Sequence, residues 1–120
     1  MLKTKVTSIG KHASSKDDGL IIMFNDTASD KLRDVSLIHE LVPAFKQKYD
    51  LAAGEKVSFD SQEYDITYVG PLVKSNLLSI GHVIFDFHNI PEHPRANTIY
   101  LKPAGDPDVN VGTIVRFGIK

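Results

Sequence analysis

Lys56-Val57-Ser58-Phe59-Asp60-Ser61-Gln62-Glu63-Tyr64-Asp65-Ile66-Thr67-Tyr68-Val69-Gly70-Pro71 is the stretch that decides the fold class. Its two ends are rich in β-branched and aromatic residues and alternate apolar with polar, the period of a half-buried strand. The residues between them are polar turn formers. The stretch reads as a β-hairpin, with strands over 56–59 and 64–69 around the turn 60–63 and a stop at Gly70-Pro71.

Outward from the hairpin the strand signal continues in both directions. Downstream, Leu72, Val73, Asn76, Leu77, Leu78 and Ile80 recur at spacings of three and four, which predicts one short helix ended by Gly81. Val83, Phe85 and Phe87 then alternate with Ile84, Asp86 and His88, and Thr98–Leu101 and Gly112–Ile119 supply two more strands. Upstream, Lys3–Ile9 alternates, Leu20–Phe24 is an apolar run of buried-strand length, and Val35–His39 is a short strand that Pro43 ends or displaces. Gly10–Asp18 reads as a polar loop. Residues 27–34 read as an irregular link in which Ser29 or Asp30 offers a cap for a single turn.

About seven short strands with one short helix imply an all-β fold, a small antiparallel barrel or a Greek-key sandwich. No internal repeat or linker divides the chain, so residues 1–120 are expected to form a single domain. Doubly wound nucleotide folds are set aside for want of helices.

Composition narrows the function classes. With 42% hydrophobic residues the 120-residue chain can build one core, and 14 Lys+Arg against 15 Asp+Glu leave a net charge of −1. The lysines are scattered, so no basic footprint for nucleic acid exists. Cysteine is absent, which removes disulfides, thiolate metal sites and a cysteine nucleophile and fits a reducing compartment. No signal-peptide core or membrane-span window occurs, so a soluble cytoplasmic protein without membrane insertion is expected. A phosphate-binding glycine loop, a serine nucleophile elbow, the His-Glu-x-x-His pattern and a calcium loop are all missing.

Five histidines remain as carriers of chemistry. His12 sits in a polar loop, and His88 and His93 flank the loop Asn89-Ile90-Pro91-Glu92; all three read as surface residues. His39 and His82 adjoin apolar strand residues, in Leu37-Ile38-His39 and Gly81-His82-Val83. Each is either a buried structural histidine or one of two that converge on a pocket, one as nucleophile and the other orienting a phosphate, with Gly81 letting backbone approach the anion. The carboxylates Asp17-Asp18, Asp30, Asp34 and Asp106-Pro107-Asp108, like Ser14-Ser15 and Asn25-Asp26-Thr27, read as turn chemistry. A metal-dependent cupin-like enzyme needs several ligands on facing strands, and only His82 and His88 share a strand, so neither metal nor cofactor is expected.

The order of these features resembles the IIA component of the glucitol/sorbitol-specific phosphoenolpyruvate-dependent phosphotransferase system, across almost the whole chain. The residues that carry the resemblance are Thr4–Gly10, Leu20–Phe24, Leu37-Ile38-His39, Tyr64–Gly70, Asn76-Leu77 and Gly81–Phe87. It implies a cytoplasmic phosphocarrier with His39 as the phosphorylated histidine. The phosphoryl group would come from the histidine-containing phosphocarrier protein and pass to the IIB part of the IIB/IIC membrane transporter. His82 would be the orienting or stabilising neighbour. Glu40-Leu41-Val42 follow His39 where the family carries a further His and Gly, and strand alternation turns Glu40 away from the site. A docking surface would draw on Leu37, Ile38, Leu41, Val42, Pro43 and Phe45, unless these are core. The rival reading is a non-enzymatic small β-barrel that binds a ligand or partner, its histidines structural.

Overall fold

The computed structural model describes residues 2–13, 18–42 and 51–120. Eight strands, β1 Leu2–Ile9, β2 Leu20–Phe24, β3 Leu37–Leu41, β4 Lys56–Phe59, β5 Gln62–Val69, β6 Val83–Asp86, β7 Thr98–Lys102 and β8 Ile114–Ile119, close into a barrel in the order β1-β3-β2-β6-β7-β5-β4-β8. Among the described residues two short helices, α1 Asp30–Asp34 and α2 Val73–Ser79, lie in the connections. The small all-β barrel expected from the strand pattern is what forms, with an eighth strand and a second helix.

Three details differ from the expectation, each for a local reason. The pairs β2/β3 and β6/β7 are parallel, so the barrel is mixed. Parallel neighbours need a crossover of roughly a dozen residues, and segments 25–36 and 87–97 supply the two crossovers. Residues 30–34 are helical because the Ser29 hydroxyl accepts from Leu32 N at 3.3 Å, the cap that the residue order offered. In the hairpin, Gln62 and Glu63 join the ladder opposite Phe59 and Ser58. That leaves Asp60-Ser61 as a two-residue turn with Asp60 at φ 56°. Pro43, Phe45, Ser14, Ser15 and Asp17 lie outside the described residues.

Alternate strand residues point inward. Leu2, Val6, Met23, Val57, Phe59, Val83, Phe85, Ile99, Val115 and Phe117 are fully buried. The rings of Phe59, Phe85 and Phe117 form the centre, with Phe59 edge-on to Phe85 at 5.0 Å and Phe85 stacked on Phe117 at 5.7 Å. At about 2 to 3 kcal/mol for each fully buried large apolar side chain, this interior supplies the main stabilisation of the barrel. His39 and Thr4 share that inward face near one end and are themselves buried.

The barrel carries an internal two-fold that sequence reading missed. Strand β1 corresponds to β5, β2 to β6, β3 to β7 and β4 to β8, and the strand order maps onto itself under this exchange. The detail is shared. β1/β3 is bulged between Val6 and Ser8, and β5/β7 between Ile66 and Tyr68. Within each bulge a threonine hydroxyl donates across the sheet, Thr7 to Ile38 O at 3.3 Å and Thr67 to Tyr100 O at 3.1 Å. Gly10 N donates to Ser36 O and Gly70 N to Thr98 O, both at 2.8 Å. Because β2 and β6 pair antiparallel, the C-terminal ends of β2 and β3 form one mouth of the barrel and those of β6 and β7 the opposite mouth.

Candidate functional site

At the first mouth, α2 is seated on the end of β2. Its apolar residues Val73 and Leu77 are buried against the barrel, while Leu72, Leu78 and Ile80 stay exposed. The helix stops because Gly81 takes the left-handed conformation, φ +65°, which glycine adopts without strain. A Cβ there would lie 2.7 Å from Asn25 N and Cβ, so the close approach of Asn25 also requires glycine. Asn25 N donates to Ile80 O at 2.9 Å and its side-chain amide to Ser79 O at 3.4 Å. These contacts place the Gly81 carbonyl over the barrel mouth.

That carbonyl meets His39. The imidazole is 2% exposed, with Nε2 2.6 Å from Gly81 O and Nδ1 2.8 Å from Thr4 Oγ1. A carbonyl only accepts, so the ring proton sits on Nε2 and donates to Gly81, and Nδ1 accepts from the Thr4 hydroxyl. Burial disfavours the imidazolium and lowers the pKa to about 4, against a smaller opposing pull from the Gly81 carbonyl. His39 is therefore neutral near physiological pH, the form in which imidazole is a nucleophile. A cavity of about 140 Å³ opens beside it, bordered by Thr4, Asn25, Asp26, Glu40, Leu41, Leu77, Leu78 and Gly81. Glu40 is exposed on the outward face, at the rim.

The His82 ring is not brought to His39. It stacks on Phe24 at 4.2 Å, its Nδ1–H donates to Met23 O at 3.1 Å, and its Nε2 accepts from the Asn97 amide at 2.9 Å. The two histidines communicate through the main chain, since the carbonyl that holds His39 belongs to the residue before His82. Thr4, Asn25 and Asn97 complete the arrangement, and sequence reading gave none of them a role. Thr4 lay within the family-like stretch, and Asn25 was read as turn chemistry, which it also performs by accepting from Thr27 N at 3.0 Å. Asn97 carried no signal, because its contact with His82 exists only in the folded barrel.

The other candidates fall elsewhere. His12 pairs with Asp34 on the surface at 2.7 Å, His93 is exposed, and His88 bonds Asp86 at the opposite mouth. Leu37 and Ile38 are buried, which removes them from any docking surface; Leu41 and Val42 are half-buried. Among the described residues no group of three His, Cys, Asp or Glu could hold a metal ion. A cavity of about 360 Å³ between Ile9, Ile22 and Val109 has no histidine in its lining and lies apart from His39.

Residues 1–116 match the family model for the PTS system glucitol/sorbitol-specific IIA component. The chain belongs to that family. A solved structure, the PTS system IIA component from Enterococcus faecalis V583, is similar to it with 33% sequence identity and a TM-score of 0.88, over 98% of this chain and 99% of that one. No curated protein matches the chain. As a IIA component the protein is part of a phosphotransferase system and works with that system's other proteins. Among the described residues no helix is long and apolar enough to cross a membrane.

Proposed function

We propose that the chain is, as one domain, a cytoplasmic phosphocarrier of a glucitol/sorbitol uptake system, and that His39 carries the phosphoryl group. The observation behind this reading is a neutral, buried imidazole at the mouth of a family-typical barrel, its two nitrogens held by a hydroxyl and a backbone carbonyl. The histidine phosphocarrier protein is the donor and the IIB part of the IIB/IIC transporter the acceptor. A ring nitrogen attacks phosphorus as the donor's own nitrogen–phosphorus bond breaks, and a nucleophile on IIB then attacks the same phosphorus as the new nitrogen–phosphorus bond breaks in turn. Such loose transfers depend on positioning more than on covalent machinery, so the domain needs no metal or cofactor of its own.

Both nitrogens are capped at rest, so loading requires one cap to yield. Attack from Nδ1 needs the Thr4 hydroxyl to rotate away, with the Nε2 proton still held by Gly81. Attack from Nε2 needs the ring proton to move to Nδ1 and the Gly81 carbonyl to swing aside. The regiochemistry of the phosphohistidine, read by phosphorus and nitrogen NMR, separates the two routes. His82 serves as a positioning residue in this scheme, pinning the peptide that carries the Gly81 carbonyl to Met23 and Asn97.

The test is relay. The chain loaded by the phosphocarrier protein should pass its label to IIB, and a label that stays on the chain contradicts the carrier role. His82→Phe, which retains the stack on Phe24 but not the bonds, should slow transfer several-fold without lowering the final extent of labelling; unchanged rates would remove His82 from the scheme. One observation favours the rival binding module: a histidine 2% exposed with both nitrogens satisfied is also what a structural histidine looks like. On that reading phosphoryl donors leave the chain unmodified.

A further inference from the structure

We infer that the opposite mouth of the barrel is a second pocket, one that binds the phosphate group of a small ligand without accepting it covalently. The two-fold that relates the halves carries His39 to Leu101, Glu40 to Lys102 and Asp26 to His88. A cavity is present at the equivalent place, about 220 Å³ and bordered by His88, Leu101 and Lys102. The same backbone frame thus surrounds a neutral nucleophile with two carboxylates at one mouth, and at the other surrounds an inert leucine with an ammonium and an imidazole.

The two nitrogen groups are held in a way that suits an anion. The buried Asp86 carboxylate accepts from His88 N at 2.8 Å and from His88 Nδ1 at 2.7 Å, which puts the Nδ1 proton against the carboxylate and leaves Nε2 as the outer nitrogen of the ring. Asp86 also pairs with Arg95 at 2.6 Å, so its own charge is balanced without His88. The ring packs over Gly19, where a Cβ would come within 2.4 Å of it. The hydrogen bond of Asp65 goes to Lys56 Nζ at 2.7 Å and holds this carboxylate below its ordinary range, while Lys102, which faces Asp65 across the sheet, adds its charge to that hold. A tetrahedral phosphate suits this pair: its oxygens accept from Lys102 Nζ with charge assistance, and His88 Nε2, bare when the ring proton is on Nδ1, shares a phosphate proton. Phe87, Ile90 and Leu101 add an apolar wall for the carbon part of a phosphate ester. No transfer follows binding, because Leu101 stands where the nucleophile would.

The inference is independent of the role given to His39, and its test uses the unphosphorylated full-length chain. Inorganic phosphate and glucitol 6-phosphate are titrated separately while amide shifts are followed by NMR, with sodium chloride as the ionic-strength control. Saturable shifts are expected at His88, Asn89 and Lys102, with the residues around His39 unmoved. Tighter binding of the ester than of inorganic phosphate assigns the pocket to phosphate monoesters, and equal binding assigns it to the inorganic ion. Lys102→Glu should weaken binding at least tenfold, whereas Lys31→Glu, the same charge change on α1, should not. Shifts that do not saturate, that survive Lys102→Glu, or that appear only around His39 would overturn the proposal.

Discussion

The two mouths of this barrel share a frame and differ in chemistry. At each, a bulged strand pair, a left-handed glycine and the end of a parallel strand pair enclose a cavity. At the mouth with His39, α2 and its terminal glycine bring a backbone carbonyl onto an imidazole. At the mouth with Leu101, the ring that packs against the equivalent glycine, Gly19, is the exposed His88. The comparison teaches that the barrel wall alone confers no reactivity. On the reading proposed above, a histidine at one wall position, held by a hydroxyl and a carbonyl, separates a carrier site from a binding pocket.

Exchanging residues between the mouths is the sharpest way to break that comparison. His39→Leu installs the residue of the second mouth in the first; phosphoryl uptake should vanish while the circular dichroism of the barrel persists. The glycines come next. Gly81→Ala drives a Cβ into the Asn25 backbone at a left-handed φ and should cost about 3 kcal/mol in denaturant unfolding. Gly19→Ala places its Cβ nearest to the His88 side chain, which can swing away, and should cost about 1 to 2 kcal/mol. Equal costs would mean that α2 is not seated as described.

Acid should separate the mouths further. The unfolded chain protonates His39 near its ordinary value of 6.5, whereas the folded chain keeps it neutral down to about 4. Stability from this group is thus complete above pH 6.5 and is lost as pH falls toward 4, by at most about 3 kcal/mol. In denaturant titrations between those limits wild type should lose stability relative to His39→Leu by up to about 3 kcal/mol as the pH drops; parallel curves would show that His39 is not buried neutral. The smallest effects concern the hydroxyls. Thr4→Val leaves Nδ1 of His39 without its donor and should cost about 1 to 2 kcal/mol. Tyr64→Phe, at the equivalent position of β5, loses a bond to Gly105 O and should cost about 1 kcal/mol.

Much of the barrel was legible in the sequence because inward and outward residues alternate, as in Val83–Phe87 and Tyr64–Val69. The parallel pairings were not, since they depend on where crossovers deliver a strand and not on its composition. The internal two-fold had a faint signature. Gly54-Glu55-Lys56-Val57-Ser58-Phe59 and Gly112-Thr113-Ile114-Val115-Arg116-Phe117 share glycine, valine and phenylalanine in register, and Val6-Thr7-Ser8-Ile9-Gly10 parallels Ile66-Thr67-Tyr68-Val69-Gly70. Insertions between these segments shift the spacing from one pair to the next, which hides the repeat from inspection. At the site, Gly81 was legible as a helix stop, but the close approach it permits is that of Asn25, whereas the sequence reading had expected an anion there. Residue pattern alone left His39 open between a core histidine and a nucleophile, and only the family resemblance favoured it. Thr4 and Asn97 gained their parts from folding, as each meets its histidine between neighbouring strands that lie far apart along the chain.

The most direct measurement is the intact mass of the wild-type chain and of His39→Gln after incubation with phosphoenolpyruvate, the first enzyme of the system and the phosphocarrier protein, kept alkaline so that phosphohistidine survives. The account predicts one acid-labile phosphoryl group on the wild type and none on the variant. A phosphoryl group on His39→Gln, or none on the wild type while a control IIA component is labelled by the same donors, would contradict it.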